Sequence, residues 1–455
     1  MATFTAYEQL LLELMNRARL DPLGEAARLG IDLNAGLAPG TITSATKQAL
    51  APNNSLVTAS RAHSQHMINT DKFNHDGIGD GTPTSRMTAA GYTLTGTWMT
   101  GENIAWTGTT GTADMLSFTT QIADNLFRSA GHRENTLNGG FREAGTGVVS
   151  GTFTTTRDWN AVMATENFGL SGSKVFVSGV AINDTNGNDF YDVGEARANV
   201  KVAVSTGGIA DGTDISEAAG GYSVATATGT HVITFSGGGL AAPVTATLYG
   251  EGSNVKADLS GSNEILSSVT TVLGAGAKDL RLLGAVVANG FGNALDNALV
   301  GSKAANVLSG AAGNDTIYGG AGNDTIAGGA GRDIMIGSLG ADRFDFNAIS
   351  ETSIIASARD VITDFTHNNT LALSDRIDLQ TIDANGALAT SAAFFWLGTA
   401  AFNGAPGRLR YYQEDPAATV SDKTIVEGDI NGDKAADFRI ELRGLKALVA
   451  ADFVL

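Results

Sequence analysis

The first third of the chain repeats apolar residues with the period of an α-helix. The first such run places four apolar residues on one face: Leu10, Leu11, Leu14 and Ala18. Asp21-Pro22 follows directly, and we expect the helix to end there because the residue before a proline avoids the helical conformation. A second helix is predicted over about 56–70, with a stripe of four residues: Leu56, Ala59, His63 and Met67. Residues 1–170 contain all four clear helical patterns.

Between about residues 174 and 284 the pattern changes to short alternations of Val, Ile and Thr. Examples are the runs Lys174-Val-Phe-Val and Val200-Lys-Val-Ala-Val, which Gly and Asp residues interrupt. Alternation with a period of two is typical of half-buried strands. The sequence therefore predicts a small β-sandwich over 173–284.

From about residue 290 the chain becomes a repeat of nine residues. Six consecutive units begin at six glycines: Gly292, Gly301, Gly310, Gly319, Gly328 and Gly337. The eighth position is always apolar, and the sixth is Asn or Asp: Asn297, Asn306, Asp315, Asp324, Asp333 and Asp342. Glycine permits a loop that aims carbonyls inward, aspartate adds a hard oxygen ligand, and the apolar residue fills a core. A flexible Gly-rich linker would not keep this register.

The repeat resembles the RTX, or haemolysin-type, calcium-binding family. The resemblance implies a parallel β-roll with calcium between successive turns and ligands at four residues: Asp315, Asp324, Asp333 and Asp342. In such a roll repeats n and n+2 are stacked, so Asp315 would meet Asp333, and Asp324 would meet Asp342. Stacked carboxylates repel by about 1–4 kcal/mol per pair at moderate dielectric, so we expect a loose roll without the cation. The first two units are expected to be capping turns with weak or no calcium.

The segments after the repeats resemble the C-terminal domain of serralysin-type secreted proteases. Segments beginning at Arg359, Asp375 and Val426 carry this resemblance. The last has oxygen-bearing residues at positions 1, 3, 5 and 9 of a calcium-loop spacing: Asp429, Asn431, Asp433 and Asp437. Position 12 is Ile440 instead of Glu, so a bound ion and a solvated acidic turn both stay open. The His-Glu-x-x-His string of those proteases does not occur in the sequence.

Export is expected to depend on this C-terminal region, 285–455. The N-terminal residues lack a signal-peptide pattern because charges interrupt them every few positions. The last four residues, Asp452-Phe453-Val454-Leu455, resemble the acid-plus-apolar tetrad of serralysin-like proteins. In those proteins the tetrad is an uncleaved address for the type I secretion apparatus. A final strand that packs on the roll is the alternative for these residues.

Composition narrows the possible partners. The chain has 455 residues, so two to four domains are expected. It contains no Cys, which removes disulfides, cysteine-ligated zinc and thiol catalysis. Its formal charge of −18 disfavours nucleic acid and anionic membrane and favours divalent cations. A stretch of 18 consecutive apolar residues does not occur, so we expect no transmembrane segment.

The middle region contains a second candidate calcium loop. Oxygen-bearing side chains occupy positions 1, 3, 5, 9 and 12 of twelve residues: Asp184, Asn186, Asn188, Asp192 and Glu195. These are the positions that a chain wrapped around calcium uses. With the strand-like flanks and Gly221-Tyr222, the loop is similar to B-type repeats of surface adhesins, which are calcium-stiffened β-sandwich spacers. An unoccupied acidic turn is the alternative.

Four strings in the N-terminal region carry its candidate chemistry. They contain the pair His63 and His66, then His75, Glu102 and His132. Two histidines and a glutamate brought together by a fold are suited to hold a divalent metal such as zinc, or to transfer protons. Each histidine is equally compatible with a structural role, so spacing alone leaves both interpretations open.

In order, these strings closely resemble the CAP superfamily, which comprises cysteine-rich secretory proteins, antigen 5 and pathogenesis-related proteins, in its bacterial SCP-like form. The match runs from Tyr7 to about Leu170 and includes Gly145-Thr-Gly147. It implies an α-β-α sandwich over 1–172 whose cleft contains His75, Glu102 and His132. His63 ranks second, and His66 is expected on a helix face. A second cleft Glu of eukaryotic members is missing near residues 124–129, which weakens the expectation of metal.

The resemblances together imply a multidomain, secreted, extracellular calcium-binding protein. Its parts are a CAP domain, the β-sandwich spacer and an RTX roll for type I secretion. The CAP cleft is expected to bind a small or lipid-like ligand or a cell-surface ligand. Two alternatives remain open at this point. One is a metal-assisted hydrolase with Glu102 as general base, since no Ser or Cys nucleophile string occurs; the other is a calcium-stiffened adhesin or matrix protein.

Overall fold

The computed structural model describes residues 3–77, 79–367, 374–384, 392–414 and 422–455. Its residues form two compact units, Met1–Ser268 and Val269–Leu455. The first unit contains the predicted helical region and most of the predicted β region. The second unit contains the nonapeptide repeats and the segments that follow them.

The N-terminal part of the first unit combines helices with one sheet. Its helices are α1 Ala6–Leu20, α2 Pro22–Arg28, α3 Asn54–Thr70, α4 Pro83–Ala89, α5 Met115–Arg128 and α6 Ala130–Thr136. Its strands are β1 Ala51–Pro52, β2 Trp98–Thr109, β3 Glu143–Thr154 and β4 Asp158–Ser171. The strand order is β1-β3-β4-β2, with β1 parallel to β3 and the other pairs antiparallel.

Helices pack on both faces of this sheet. Alternate residues of β4 point in opposite directions. Val162 and Ala164 pack with α1 and α5, whereas Ala161 and Met163 pack with Met67 of α3. This is the α-β-α layering expected from the sequence. The predicted end of the first helix is also confirmed, because Asp21 caps α1 and its side chain accepts from the amide of Gly24 at the start of α2.

The rest of the first unit is all β. Its strands are β5 Val175–Ile182, β6 Val200–Thr206, β7 Ile209–Ile215, β8 Gly221–Thr226, β9 Gly229–Gly237, β10 Val244–Gly250, β11 Val255–Ser260 and β12 Glu264–Ser267. They pair in two orders, β12-β11-β5-β8 and β10-β9-β6-β7. Leu10 and Leu14 of α1 pack on Val180, Ile182 and Tyr191 of this region.

The second unit begins with short strands in parallel ladders. Its strands are β13 Thr271–Leu273, β14 Asp279–Leu282, β15 Gly290–Phe291, β16 Ala298–Val300, β17 Val307–Ala312, β18 Thr316–Ala321, β19 Thr325–Ala330, β20 Ile334–Leu339, β21 Arg343–Asp345, β22 Val361–Ile362, β23 Arg376–Asp378, β24 Phe395–Trp396, β25 Arg408–Glu414, β26 Lys423–Asp429, β27 Phe438–Arg443 and β28 Phe453–Val454. From β13 to β21 each strand pairs in parallel with the strand two further on, whereas β22 pairs with β27 and β23 with β28.

The predicted stacking of repeats n and n+2 is therefore confirmed, and the parallel sheets are consistent with a β-roll. All six apolar residues at the eighth repeat position are fully buried: Leu299, Leu308, Ile317, Ile326, Met335 and Phe344. They form the interior of the roll because they come from both ladders of strands. The register of this one position thus places the core.

The last residues of the chain pack on the second unit. β28 pairs in parallel with β23, opposite Ile377. Phe453 is buried, and Asp452 accepts from Nδ1 of His367 at 2.7 Å. The structural role kept open for the terminal tetrad is thus observed. Over the ranges that the model describes, no helix combines the length and apolar character needed to cross a bilayer.

Candidate functional site

Helix α3 lies unusually close to strand β3 and brings His63 into the candidate site. A Cβ atom on Gly145 or Gly147 would fall 2.2 Å from the backbone nitrogen of Val57 or Arg61, respectively. Glycine at these positions removes the clash. Ser60 and Ser64 of α3 then donate to the Gly145 and Gly147 carbonyls, both at 2.8 Å.

Glu102 is the buried centre of the candidate cleft. It lies on the edge strand β2, and its side chain is 2% exposed. Arg86 of α4 donates to Oε2 at 2.7 Å, and Nδ1 of His75 lies 2.9 Å from Oε1. The amide of Asn167, oriented so that it also accepts from Ser60, donates to Oε2 at 3.2 Å. Arg86 neutralises this carboxylate, and the surrounding hydrogen bonds fix its position.

The two predicted cleft histidines differ in exposure. The side chain of His75 is 49% exposed, so this end of the cleft opens to solvent. His132 of α6 is half-buried, and burial together with the nearby charge of His75 lowers its pKa. His132 is therefore favoured as a neutral imidazole. Asn135, one helical turn later, donates to the backbone carbonyl of Glu102 at 3.3 Å and ties α6 to β2.

A second histidine–carboxylate pair lies beside the first. Nδ1 of the fully buried His63 is 2.7 Å from Asp80 Oδ2, and its Nε2 is 3.1 Å from the carbonyl of Asn74 and 3.9 Å from Glu102 Oε1. His66 lies 3.9 Å from the other Asp80 oxygen. Asp80 was not among the predicted site residues, because a single aspartate in a Gly-rich turn has no motif.

Glu166 is a further buried acid that the sequence patterns did not indicate. It lies next to Asn167 on β4, and burial raises its pKa to about 7 although Asn103 donates to it at 2.9 Å. Asn103 also donates to the His132 carbonyl at 3.2 Å. Glu166 thus supports the opposite side of the sheet from Glu102, because adjacent residues of a strand face opposite ways.

The repeat aspartates form two hydrogen-bonded ladders. In the first, the amides of Asn297, Asp315 and Asp333 donate to the Oδ1 atoms of Asp315, Asp333 and Asp360 at 2.7–2.9 Å. In the second, Asn306, Asp324 and Asp342 donate to Asp324, Asp342 and Asp375 at 2.8–2.9 Å. Both predicted aspartate pairs are in contact, and each ladder extends one rung beyond the repeats.

The second carboxylate oxygen of most rungs has no protein partner. Five buried Oδ2 atoms accept no hydrogen bond: those of Asp315, Asp324, Asp333, Asp342 and Asp360. A Cβ atom on Gly310 would fall 2.1 Å from Asp315 Oδ2 and 2.6 Å from the Gly328 carbonyl, so glycine keeps this oxygen-lined space open. Burial raises the pKa of Asp315, Asp324 and Asp333 to about 6 and that of Asp342 to about 7.

The two predicted calcium loops share one backbone arrangement. In each, the first Asp accepts from the amides three and five residues later: Asp184 from Gly187 and Asp189, and Asp429 from Gly432 and Lys434. The sixth residue has a positive φ in both loops, 55° at Asp189 and 71° at Lys434. The side chain at position 3 reaches the Asp at position 9, Asn186 to Asp192 and Asn431 to Asp437.

The loops differ at position 12. Glu195 is 5% exposed and its Oε1 accepts from the amide of Thr185 at 2.9 Å, while its buried Oε2 has no partner. Ile440 occupies the same position of the second loop and is fully buried in β27. Of the two loops, only the first therefore ends in an acid, and one oxygen of that acid lacks a donor among the described residues.

Two family models match the chain. The model of the cysteine-rich secretory protein family, CAP, matches residues 12–166. That of the RTX calcium-binding nonapeptide repeat, in four copies, matches 291–326 and 318–348. The chain carries a CAP domain followed by RTX repeats. The four aspartates of the RTX repeats, with their unpartnered oxygens and glycine-lined space, offer the hard oxygen donors that calcium prefers.

Zinc has no comparable support in the CAP domain. Within the described ranges no three His, Cys, Asp or Glu side chains are grouped so as to hold a metal ion. The guanidinium of Arg86 already lies against Glu102. The CAP cleft thus carries its own cation, and we derive no step through a zinc ion.

Solved structures that are similar to part of the chain come from two bacteria. An extracellular SCP-domain protein of Bacillus anthracis is 20% identical, with a TM-score of 0.23, over 37% of this chain and 44% of its own. The R3 and R2 subunits of the Azotobacter vinelandii mannuronan C5-epimerase AlgE6 are each 26% identical, with TM-scores of 0.26. They cover 36% and 37% of this chain and 80% and 91% of their own. No curated protein matches the chain.

Proposed function

We propose that the protein is a secreted, calcium-dependent carrier whose CAP cleft binds a small or lipid-like ligand. The observation that carries this proposal is the half-exposed His75 above the buried Glu102, which is fixed by Arg86. Such a cleft presents a polar group in a fixed position and opens to solvent. A polar anchor beside apolar surface suits an amphipathic molecule.

Exposed apolar side chains adjoin these residues in the chain. Phe73 precedes His75 by two positions and is 43% exposed, and Trp98 and Met99 at the start of β2 are 50% and 37% exposed. A contiguous exposed apolar patch beside a polar site would favour ligand binding over a purely structural role. The hydrolase alternative is not favoured, because Glu102 is engaged by Arg86 and cannot act as a free base while that pair holds.

The test is binding of a fluorescent fatty acid to the full chain in calcium. The double substitution His75→Ala and His132→Ala should weaken binding at least about tenfold while the CAP domain stays folded by circular dichroism. His66→Ala is the matched control. His66 lies in the same domain, but its acidic neighbour is Asp80, at 3.9 Å, instead of Glu102. Unchanged affinity in the double variant would refute this cleft as the site.

We further propose that residues 285–455 direct export by type I secretion and that 173–284 form a calcium-stiffened β-sandwich spacer behind a CAP domain over 1–172. The unpartnered Glu195 Oε2 supports calcium in the loop of the spacer, with Asp184, Asn186, Asn188 and Asp192 as further ligands. The loop from Asp429 to Asp437 has oxygen donors at the same positions except position 12, so we expect it to bind calcium more weakly. Export is tested in a host with a matching transporter, where a chain without 285–455 should stay in the cells.

A further inference from the structure

A cavity in the first unit lies apart from the CAP cleft. It has a volume of about 310 Å³ and is bounded by the start of α1, the turn between β1 and α3, and strands β7 and β8. Its apolar walls include Phe4, Phe176 and Tyr222. None of the predicted site residues lines it, so the function proposed above does not use it.

The polar lining of this cavity is one-sided in charge. It contains the carboxylates of Glu143, Asp214 and Glu217 and no Lys, Arg or His. Neutral donors hold each acid in place: Asn53 binds Glu143 at 2.7 Å, the amide of Ser223 binds Asp214 at 2.8 Å, and the amide of Phe4 binds Glu217 at 3.1 Å. No ion pair to these three acids is formed within the described ranges of the chain. Their charge is therefore not compensated by an ion pair with any of the residues that the structure describes.

Gln9 supplies an independent sign of a missing donor. This cavity-lining residue is 1% exposed, and its amide nitrogen donates to Glu13 at 2.8 Å. The remaining Oε1 has no hydrogen-bond partner. It faces Gly221, another wall residue, where a Cβ atom would fall 2.3 Å away. A buried acceptor without a donor is rare in folded proteins, and here it lies at an acidic cavity.

Charge, size and spacing together define the occupant. A polyvalent organic cation suits the lining better than a single metal ion, because the three carboxylates are held by different neutral donors of the wall. The volume corresponds to about ten water molecules at about 30 Å³ each. Aromatic walls attract ammonium groups through their faces. We propose that this cavity binds a linear aliphatic polyamine, whose several ammonium groups would pair with the three carboxylates.

The test uses spermidine as the probe and the full chain in calcium at physiological salt. Titration calorimetry should show one saturable site that binds spermidine at least about tenfold more tightly than propylamine. Asp214→Asn and Glu217→Gln keep an acceptor for the amides of Ser223 and Phe4, so both should fold. Each should weaken spermidine binding about threefold to tenfold, and Gln9→Leu should weaken it as well.

Glu134→Gln is the matched control, because it removes one charge from an exposed site on α6. It should leave spermidine binding unchanged, which separates the cavity from general attraction to a chain of charge −18. Absence of a saturable site overturns the proposal. Equal weakening by Glu134→Gln and the cavity variants overturns it too, as does displacement of spermidine by calcium with the same acids required. If either isosteric variant unfolds, the other variant and the propylamine comparison still decide the outcome.

Discussion

Both the CAP cleft and the RTX roll bury carboxylates, but they compensate them differently. Glu102 has a guanidinium at 2.7 Å, an imidazole at 2.9 Å and a side-chain amide within reach. Asp324 in the roll receives one backbone amide, and its other oxygen has no partner. The cleft therefore folds with cations from its own sequence. Among the described residues of the roll no cationic side chain contacts the repeat aspartates, so we expect the roll to depend on a cation from solution.

This difference decides which variable controls each region. A buried ion pair responds to substitution of its partner, whereas a ladder of unpaired carboxylates responds to calcium and protons. The two regions should thus separate cleanly in experiments on the full chain.

Removal of calcium should have the largest effect, and it should affect the RTX roll and not the CAP cleft. With free calcium about 100-fold above the dissociation constant, each ion stabilises by about 2.7 kcal/mol, so several ions together are comparable to the stability of a typical domain. Hydrogen exchange in chelator should therefore lose protection in β16–β20 while β2–β4 keep theirs. Equal protection of β16–β20 with and without calcium would contradict the comparison.

Replacement of Arg86 by Met should produce the next largest effect, in the first unit. Arg86 is 5% exposed, and its loss would leave Glu102 buried without a cation. Breaking such a pair typically destabilises by about 3–5 kcal/mol. Urea unfolding of the first unit is the measurement. Arg86→Met with Glu102→Gln should recover part of the loss because the second change removes the stranded charge; no recovery would argue against charge as the cause.

Asp324→Asn should act in opposite directions with and without calcium. The amide keeps the acceptor for Asn306 but removes a buried charge, so the roll in chelator should become more protected against exchange. In calcium the variant should be less stable by up to about 2.7 kcal/mol, one ion's share. Asp296→Asn makes the same charge change at an exposed position, where its charge acts on Asp315 and Asp333 only from a distance, so both effects should be smaller there. A variant less protected in both conditions would mean that Asp324 is mainly structural.

Acidification should act gradually, over several pH units, and its sign should also depend on calcium. Burial raises the pKa of Asp315, Asp324 and Asp333 from 3.8 to about 6, so the folded roll binds more protons than the unfolded chain between about pH 4 and 7. In chelator its stability should be highest near pH 4 and fall as pH rises through 6. In calcium, protons compete with the ion, and stability should instead fall on acidification. Exchange corrected for intrinsic rates measures both slopes.

The sequence predicted those structural features that recur at a fixed interval along the chain. The nine-residue register placed the buried apolar residues and paired Asp315 with Asp333, because every turn of the roll repeats one geometry. The next rungs are Asp360 and Asp375, which lie 27 and 33 residues after their partners instead of 18. Both segments had been matched to serralysin-type domains, but their place in the ladders was not predicted because the interval changes.

The cleft could be predicted only as far as its strings of residues reach. His75 and Glu102 are in contact as expected. Arg86, Asp80 and Glu166 were missed, since their roles arise when α4, a turn and β4 meet across the sheet and no local pattern marks them. Glu166 lies 64 positions after Glu102 in the sequence. It nevertheless contacts Asn103, the residue next to Glu102, because β2 and β4 pair at this point.

The spacing of two repeat units between successive rungs of a ladder also limits which insertions and deletions the protein can tolerate. Each rung bonds to the rung 18 residues away, and successive units alternate between the two ladders. Deletion of one nonapeptide would move every later aspartate to the opposite ladder and every later strand to the opposite sheet. Deletion or duplication of two units would preserve both. Insertions and deletions within the repeats should therefore be tolerated in multiples of 18 residues. In variants of other lengths, the last repeats should fail to pair with the C-terminal strands.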